Sequence, residues 1–320
     1  MKPFDGFGNK ELRLAMLGMV DGNGHPYSWS AMFNGYEPGD MAHCPFPTIP
    51  DYLSKEPEAN LSIQGAKVTH VWTDDPADAP RVAAASRIPN VADRAEDVIG
   101  QVDAVIVATD KGHEHVERCR PFVEAGLPVF VDKPLVDNEP DLGQFRRWIV
   151  EENRPVLSSS SMRYCKEYLP YRASTHNLGA LRYVTITTPK TWERYGIHAL
   201  EGMYPILGPG FVSVRNTGSI DRNVAHLKHE RGVDVVVVAT GDMYGGFGDL
   251  LLCGTRGSAY VKIMDSFYSF KAQLVAFVDF LRSGVYPFPF AETEELMKIV
   301  IAGIRSREEG GREIPLAEIH

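Results

Sequence analysis

At 320 residues the chain is long enough for two cores, since a single core usually stops growing near ~250–300 residues. Hydrophobic residues make up 44% and charged residues 23%, a globular composition too apolar for disorder. The formal net charge of −9 argues against nucleic acid or an anionic membrane as partner, because phosphate-binding surfaces are usually basic.

The four cysteines, Cys44, Cys119, Cys165 and Cys253, are scattered without a CxxC pair. They read as reduced thiols rather than as a disulfide framework or zinc site. No apolar run approaches the ~18 residues of a membrane helix, and no signal-peptide pattern opens the chain. A cytoplasmic location, no membrane partner and no metal site are expected.

Leu12 to Val20 (LRLAMLGMV) reads as a buried strand, and a helix is expected to start near Pro26, a residue favoured in a first helical turn. From about residue 34 to 64 the text turns rich in Pro, Gly and polar residues. An insertion of that length reads as a functional loop or a mobile excursion. Lys67 to Thr73, Ala104 to Ala108 and Pro128 to Val131 are short apolar runs, each leading into a helical pattern. Such alternation predicts βαβ units and a Rossmann-type, doubly wound parallel sheet, with ligands at the carboxyl ends of its strands.

The second half reads differently. Leu181 to Thr188, Phe211 to Asn216, Val224 to Lys228, Val233 to Ala239, Leu250 to Cys253 and Ser258 to Ile263 are strand-like and separated mostly by short turns. They predict an α+β domain with a large, mostly antiparallel open sheet. Amphipathic helices are expected at about Phe270 to Leu281 and Glu292 to Arg307. The boundary is placed near Asp132 to Asp137, giving a dinucleotide-binding domain over 1–135 and a substrate and oligomerisation domain over 136–320.

After the first strand comes Gly18-Met-Val-Asp21-Gly22-Asn23-Gly24-His25-Pro26. Glycines let backbone approach a pyrophosphate, and the following helix N-terminus supplies N–H donors. The GxGxxG pattern is incomplete, with Tyr27 in the third place, so a plain connecting turn fits as well. Asp74, closing the second strand, is placed to accept from the adenosine ribose hydroxyls, or to cap the helix near Pro76. The ribose role favours NAD, while Arg81 leaves NADP open.

Val105 to Val136, VIVATDKGHEHVERCRPFVEAGLPVFVDKPLV, resembles the glucose-fructose oxidoreductase / inositol dehydrogenase (Gfo/Idh/MocA) family. The resemblance rests on Ala108-Thr109, His115, Ala125-Gly126, and Asp132-Lys133-Pro134 where the family has Glu-Lys-Pro. Cys253 to Val261, Ala276 to Gly284 and Ala291 to Leu316 extend it almost to the end. What it implies is an NAD- or NADP-dependent dehydrogenase acting on a sugar, cyclitol or related polyol, with Ala108, Thr109, His115, Asp132, Lys133 and Pro134 at the cofactor.

The resemblance also places Lys133 where nicotinamide meets substrate, suited to stabilising negative charge on the reacting oxygen. His198, in Arg194-Tyr195-Gly196-Ile197-His198, falls where the family commonly has Asp-x-Gly-x-His, and is the expected general base or acid. Arg194 stands in place of the family's aspartate, and Tyr195 is a polar neighbour that could compensate. Arg163 and Tyr164 fall where the family often contacts substrate, although a structural ion pair fits Arg163 equally. Trp192 reads either as a wall for a sugar ring or as core. Two other functions stay open: an NAD-recycling glycosidase or lyase, and a catalytically altered dinucleotide-binding sensor. The family often dimerises through its C-terminal sheet, so a homodimer or homotetramer is expected.

Overall fold

The computed structural model describes residues 3–320. Its first sheet is parallel, built from β1 (Leu12–Leu17), β2 (Ala66–Trp72), β3 (Asn90–Val91), β4 (Ala104–Val107), β5 (Val129–Val131) and β6 (Val156–Ser158). The order is β3-β2-β1-β4-β5-β6, the doubly wound arrangement whose crevice lies where the chain reverses direction between β1 and β4. β4 and β5 are apolar and buried at every position, because helices cover both faces. Helices α1 (His25–Asn34), α2 (Pro38–Met41), α3 (Thr48–Leu53), α4 (Asp78–Ala85), α5 (His115–Glu124) and α6 (Glu139–Arg146) belong to this half.

Two expectations need correction here. Residues 34–64 are not an excursion: α2 and α3 bury Met41, Ile49 and Leu53, and Leu61 and Ile63 also join the first core. Asn34 anchors the start, bonding both the N–H and the carbonyl of Val68 on β2. These helices are four and six residues long, too short to show an apolar period. The sheet also runs past the boundary expected near residue 135, because α6 and β6 add a further unit and β6 pairs with β5.

After the short α7 (Leu169–Ala173) comes the second sheet, formed by β7 (Leu181–Pro189), β8 (Phe211–Asn216), β9 (Arg222–His229), β10 (Val233–Thr240), β11 (Leu250–Gly254), β12 (Ser258–Val261) and β13 (Ile314–Pro315). Its order is β12-β11-β7-β10-β9-β8-β13, antiparallel except between β7 and β10. Along β10 the odd-numbered Val233, Val235, Val237 and Ala239 point inward, the period of two that a one-sided sheet requires. Against that face lie α8 (Ile197–Leu207) and α10 (Phe290–Glu308), sharing one core with it. The remaining helix, α9 (Ser266–Ser283), leaves the second half and packs Phe267, Leu274, Phe277 and Phe280 into the core of the first. Among the described residues no helix is long and apolar enough to cross a membrane.

Candidate active site

The site forms where the loops after β1, β4 and β5 face the turn before α8. Gly18 adopts φ +86°, and a side chain there would strike Thr109, so the first loop lies directly against the loop that leaves β4. Buried Asn23 joins three loops: its amide donates to the Ala108 carbonyl and to Asp132, and its Oδ1 accepts from the His25 N–H. Gly24 is glycine for packing reasons, since the rings and methyls of Phe46 and Ile49 fill the space a Cβ would take. Gly22, at φ +74°, stays exposed.

At the end of β5, Asp132 accepts from the Lys133 N–H and lies 2.6 Å from His25 Nδ1, whose ring stacks on Trp29. Burial opposes the Asp132 charge, but His25 and Lys133 outweigh it and hold the carboxyl below its ordinary range. Lys133 is 2% exposed, with Nζ 3.5 Å from Asp110 and 4.7 Å from the centre of the Tyr195 ring. Burial works against its ammonium, yet Asp132 and Asp110 more than compensate and raise its pKa.

Asp110 meets the second half directly. Arg194 donates to it at 2.6 Å and to the Asp21 carbonyl at 3.0 Å. Although burial disfavours its charge, Lys133 and Arg194 pull Asp110 down to about 2. Lys190 makes a parallel link, donating to the Gly22 carbonyl at 3.2 Å and to the Tyr195 hydroxyl at 2.7 Å. His198 opens α8 after a π-helical turn over 192–196, which Thr191 caps. Its Nδ1 is 2.7 Å from Ser160 Oγ, and its ring meets Tyr195 and Phe247 edge-on. Burial, reinforced by the charges of Lys133, His25 and Lys190, keeps this imidazole neutral well below its usual range.

Two cavities flank this centre. One, about 460 Å³, lies between the glycine loop and the second sheet, with Tyr195, Phe247 and Phe270 among its walls. The other, about 750 Å³, holds Asp74, Asp21, Arg81 and Arg118. Pro45 and Phe46 border both. Asp74 accepts from the Met19 N–H and from Arg118, so the acid closing β2 faces the loop after β1. These residues fit a dinucleotide: an acid for ribose at one end, an exposed glycine loop at the start of α1, and the Lys133 cluster at the other.

Several expected residues have other roles. Trp192 is wholly buried and donates to the Val300 carbonyl, so it is core rather than a substrate wall. Arg163 is buried and pairs with Glu201 and Glu292. With Tyr164 it borders a separate cavity. His115 is fully buried and bonds the Thr109 and Leu135 carbonyls, fixing the loops rather than facing either cofactor-side cavity. Pro134, following Lys133 across a cis peptide, is likewise buried. Arg194 is engaged by Asp110 instead of being free for substrate. The sequence reading missed Asp110, Lys190 and the aromatic residues Phe46, Phe247 and Phe270. Asp110 had a partial signal, since it lies in the loop just past the end of β4, after Ala108 and Thr109; the aromatics had none until the chain folded.

A parallel sheet in this order, with an acid after its second strand and a glycine loop after its first, defines a dinucleotide-binding fold of the Rossmann type. Residues 53–154 match the Gfo/Idh/MocA model, an oxidoreductase family with an NAD-binding Rossmann fold, which bears out the resemblance read from the sequence. The match starts inside α3, so the glycine loop and most of the insertion lie outside it. No curated relative matches the sequence. Among solved structures, scyllo-inositol dehydrogenase from Lactobacillus casei, with bound NAD(H) and scyllo-inositol, superposes with TM-score 0.74 at 13% identity, covering 96% of this chain and 100% of its own. Myo-inositol 2-dehydrogenase from Lactobacillus plantarum gives 0.75 at 16%, covering 96% and 99%. An oxidoreductase from Agrobacterium radiobacter, in complex with NAD+, L-tartaric acid and magnesium, gives 0.74 at 15%, covering 97% and 100%. At these identities the likeness speaks for the fold alone.

Proposed function

We propose that the chain is an NAD-dependent dehydrogenase or reductase acting on a carbinol or carbonyl carbon of a hydroxylated small molecule. The carrying observation is the meeting of Lys133, Tyr195 and His198 beside the glycine loop, where the two halves touch. The inositol dehydrogenases among the structural neighbours support a polyol-like substrate. Asp74 supports NAD over NADP, because a carboxylate there repels a 2′-phosphate.

A bound nicotinamide supplies the hydride acceptor or donor. The chain's own residues handle the rest. Lys133, held charged by two carboxylates, orients the reacting oxygen and stabilises negative charge on it. When His198 donates its Nδ1–H to Ser160 Oγ, its neutral Nε2 can take the hydroxyl proton. Tyr195 lies between these two groups and the cavity, so substrate must displace or contact its ring to reach them. Asp132 and Asn23 hold the loops that carry Lys133.

Calorimetric titration with NAD(H) and NADP(H) tests the reading. Tight NAD(H) binding, weakened about tenfold or more in Asp74→Ala through loss of charged hydrogen bonds, is the expected result. Lys133→Met should lower kcat by roughly 10²–10³, and His198→Ala by roughly 10²–10⁴. If neither cofactor binds, the dehydrogenase reading falls. The burial of Lys133 and His198 beneath Tyr195 favours one second reading, a dinucleotide sensor of the same fold. Tight NADH binding without turnover of any hydroxylated substrate would select it.

A further inference from the structure

The cleft is unbalanced in charge. Lys133, Arg194 and Lys190 bring three basic side chains to it, while its buried carboxylates are Asp110 and Asp132. Asp110 lies within salt-bridge distance of Lys133 and of Arg194, and Asp132 engages His25. Lys190 alone of the three cations has no carboxylate partner among the described residues; its ammonium touches the Gly22 carbonyl and the Tyr195 hydroxyl. An ammonium has three donors, so one remains.

Two further observations bear on what that donor is for. Lys190 holds φ +60°, the left-handed region that a residue with a Cβ avoids unless its surroundings hold it there. That backbone presents the side chain to the 460 Å³ cavity, whose lining includes Lys190 and His25 but no Asp or Glu. Neutral polyols are usually gripped by acceptors for their many hydroxyl donors, and carboxylates are the strongest of these. Here the charged wall is cationic, and the aromatic faces of Tyr195, Phe247 and Phe270 offer only flat apolar support.

We infer that the substrate of this site is a hydroxylated acid, carrying a carboxylate or phosphate that Lys190 receives while its carbinol carbon lies against Tyr195 and Lys133. This rests on the dehydrogenase reading and narrows it. The same anion chemistry could come from the pyrophosphate of the cofactor. Lys190 touches the glycine loop at the Gly22 carbonyl; what favours substrate is that its ammonium lies 4.3 Å from the centre of the Tyr195 ring, over which the Lys133 ammonium also sits. The cavity holding Asp74 lies on the other side of Pro45 and Phe46.

The test uses the full chain and two variants, Lys190→Gln and Lys190→Arg. NADH affinity is measured first for all three by calorimetry. The NADH complexes are then titrated with glucuronate, gluconate, glucose 6-phosphate and inorganic phosphate, and with glucose and myo-inositol as neutral counterparts. Initial rates with NAD+ are measured on the organic compounds, inorganic phosphate serving as a binding probe alone. The expected result is that at least one anion binds the wild-type complex tenfold or more tightly than its neutral counterpart. Lys190→Gln should abolish that preference with NADH affinity retained, and Lys190→Arg should restore most of it. Where turnover is seen, the Gln variant should raise KM for the acid while kcat changes little. Failure of every anion to bind at millimolar concentration overturns the inference, as does a wild-type preference for the neutral compounds or a preference that survives Lys190→Gln. A tenfold loss of NADH affinity in Lys190→Gln assigns the lysine to the pyrophosphate and also overturns it. Absence of NADH binding to wild type is a separate result, which removes the dehydrogenase reading itself.

Discussion

Asp110 is the carboxylate on which two cations converge, one from each half of the molecule. Asp110→Asn takes from Arg194 its carboxylate partner and from Lys133 one of the two carboxylates that hold it charged, and should cost about 3–5 kcal/mol in chemical denaturation. Its pH signature has a definite sign. A carboxyl with a folded-state pKa of about 2 contributes fully above its unfolded value near ~3.9, and loses that contribution as pH falls through about 2. The variant should therefore lose less stability than wild type between about pH 4 and 2.

His198 has the opposite charge logic. Its folded-state pKa is lowered by burial, so the unfolded chain takes up the proton first. Folding stability should fall as pH drops below the ordinary histidine value of ~6.5, and His198→Gln should blunt that slope. In activity, the acid limb set by His198 should lie below that same value; an acid limb at or above it would count against His198 as the base. At this scale the family motif singled out Lys133 and His198, and the fold brings both against Tyr195. For Asp110 only its place beyond a strand end could be read; its pairing could not, because it comes from Arg194, which lies 84 residues away in the chain.

At the scale of elements, the segment from 34 to 64 behaves as core. Leu53 is fully buried on α3, and Leu53→Ala should cost about 2–5 kcal/mol in urea denaturation. A cost within about 0.5 kcal/mol, as for a surface change, would restore the picture of a mobile excursion. The same segment carries Phe46 to the border of both cavities, so it shapes the cofactor path as well as the fold. None of this was legible beforehand, since proline-rich one-turn helices leave no period to count. The long helices were legible: α9 and α10 differ from their expected spans by a few residues at their ends, because whole turns of apolar spacing announce them.

At the scale of the molecule, the split into one parallel and one mostly antiparallel sheet could be read from apolar runs spaced by helices in one half and by turns in the other. The boundary could not, because Val156–Ser158 is only three residues and its partner strand is what identifies it. The outer face of the second sheet carries exposed Tyr183, Val224 and Tyr260 beside half-buried Val236, Val238 and Leu251. We propose that two copies associate through this face. Light scattering at micromolar concentration should give at least twice the chain mass, and Val224→Lys with Val238→Lys should give the monomer; a wild-type monomer removes the proposal.

The return of α9 to the first half has a consequence for how the protein is made. Phe267, Phe277 and Phe280 complete a core whose other members begin at Leu12. A chain emerging from the ribosome in order cannot close that core until these late residues are available. Domains usually fold as units during synthesis, the first one first. Here the dinucleotide half has to wait, its apolar face uncovered, while the other half's sheet is still being translated. Nascent chains that stop short of Phe267 are therefore expected to keep the first half open to protease, and chains carried past Ser283 to protect it.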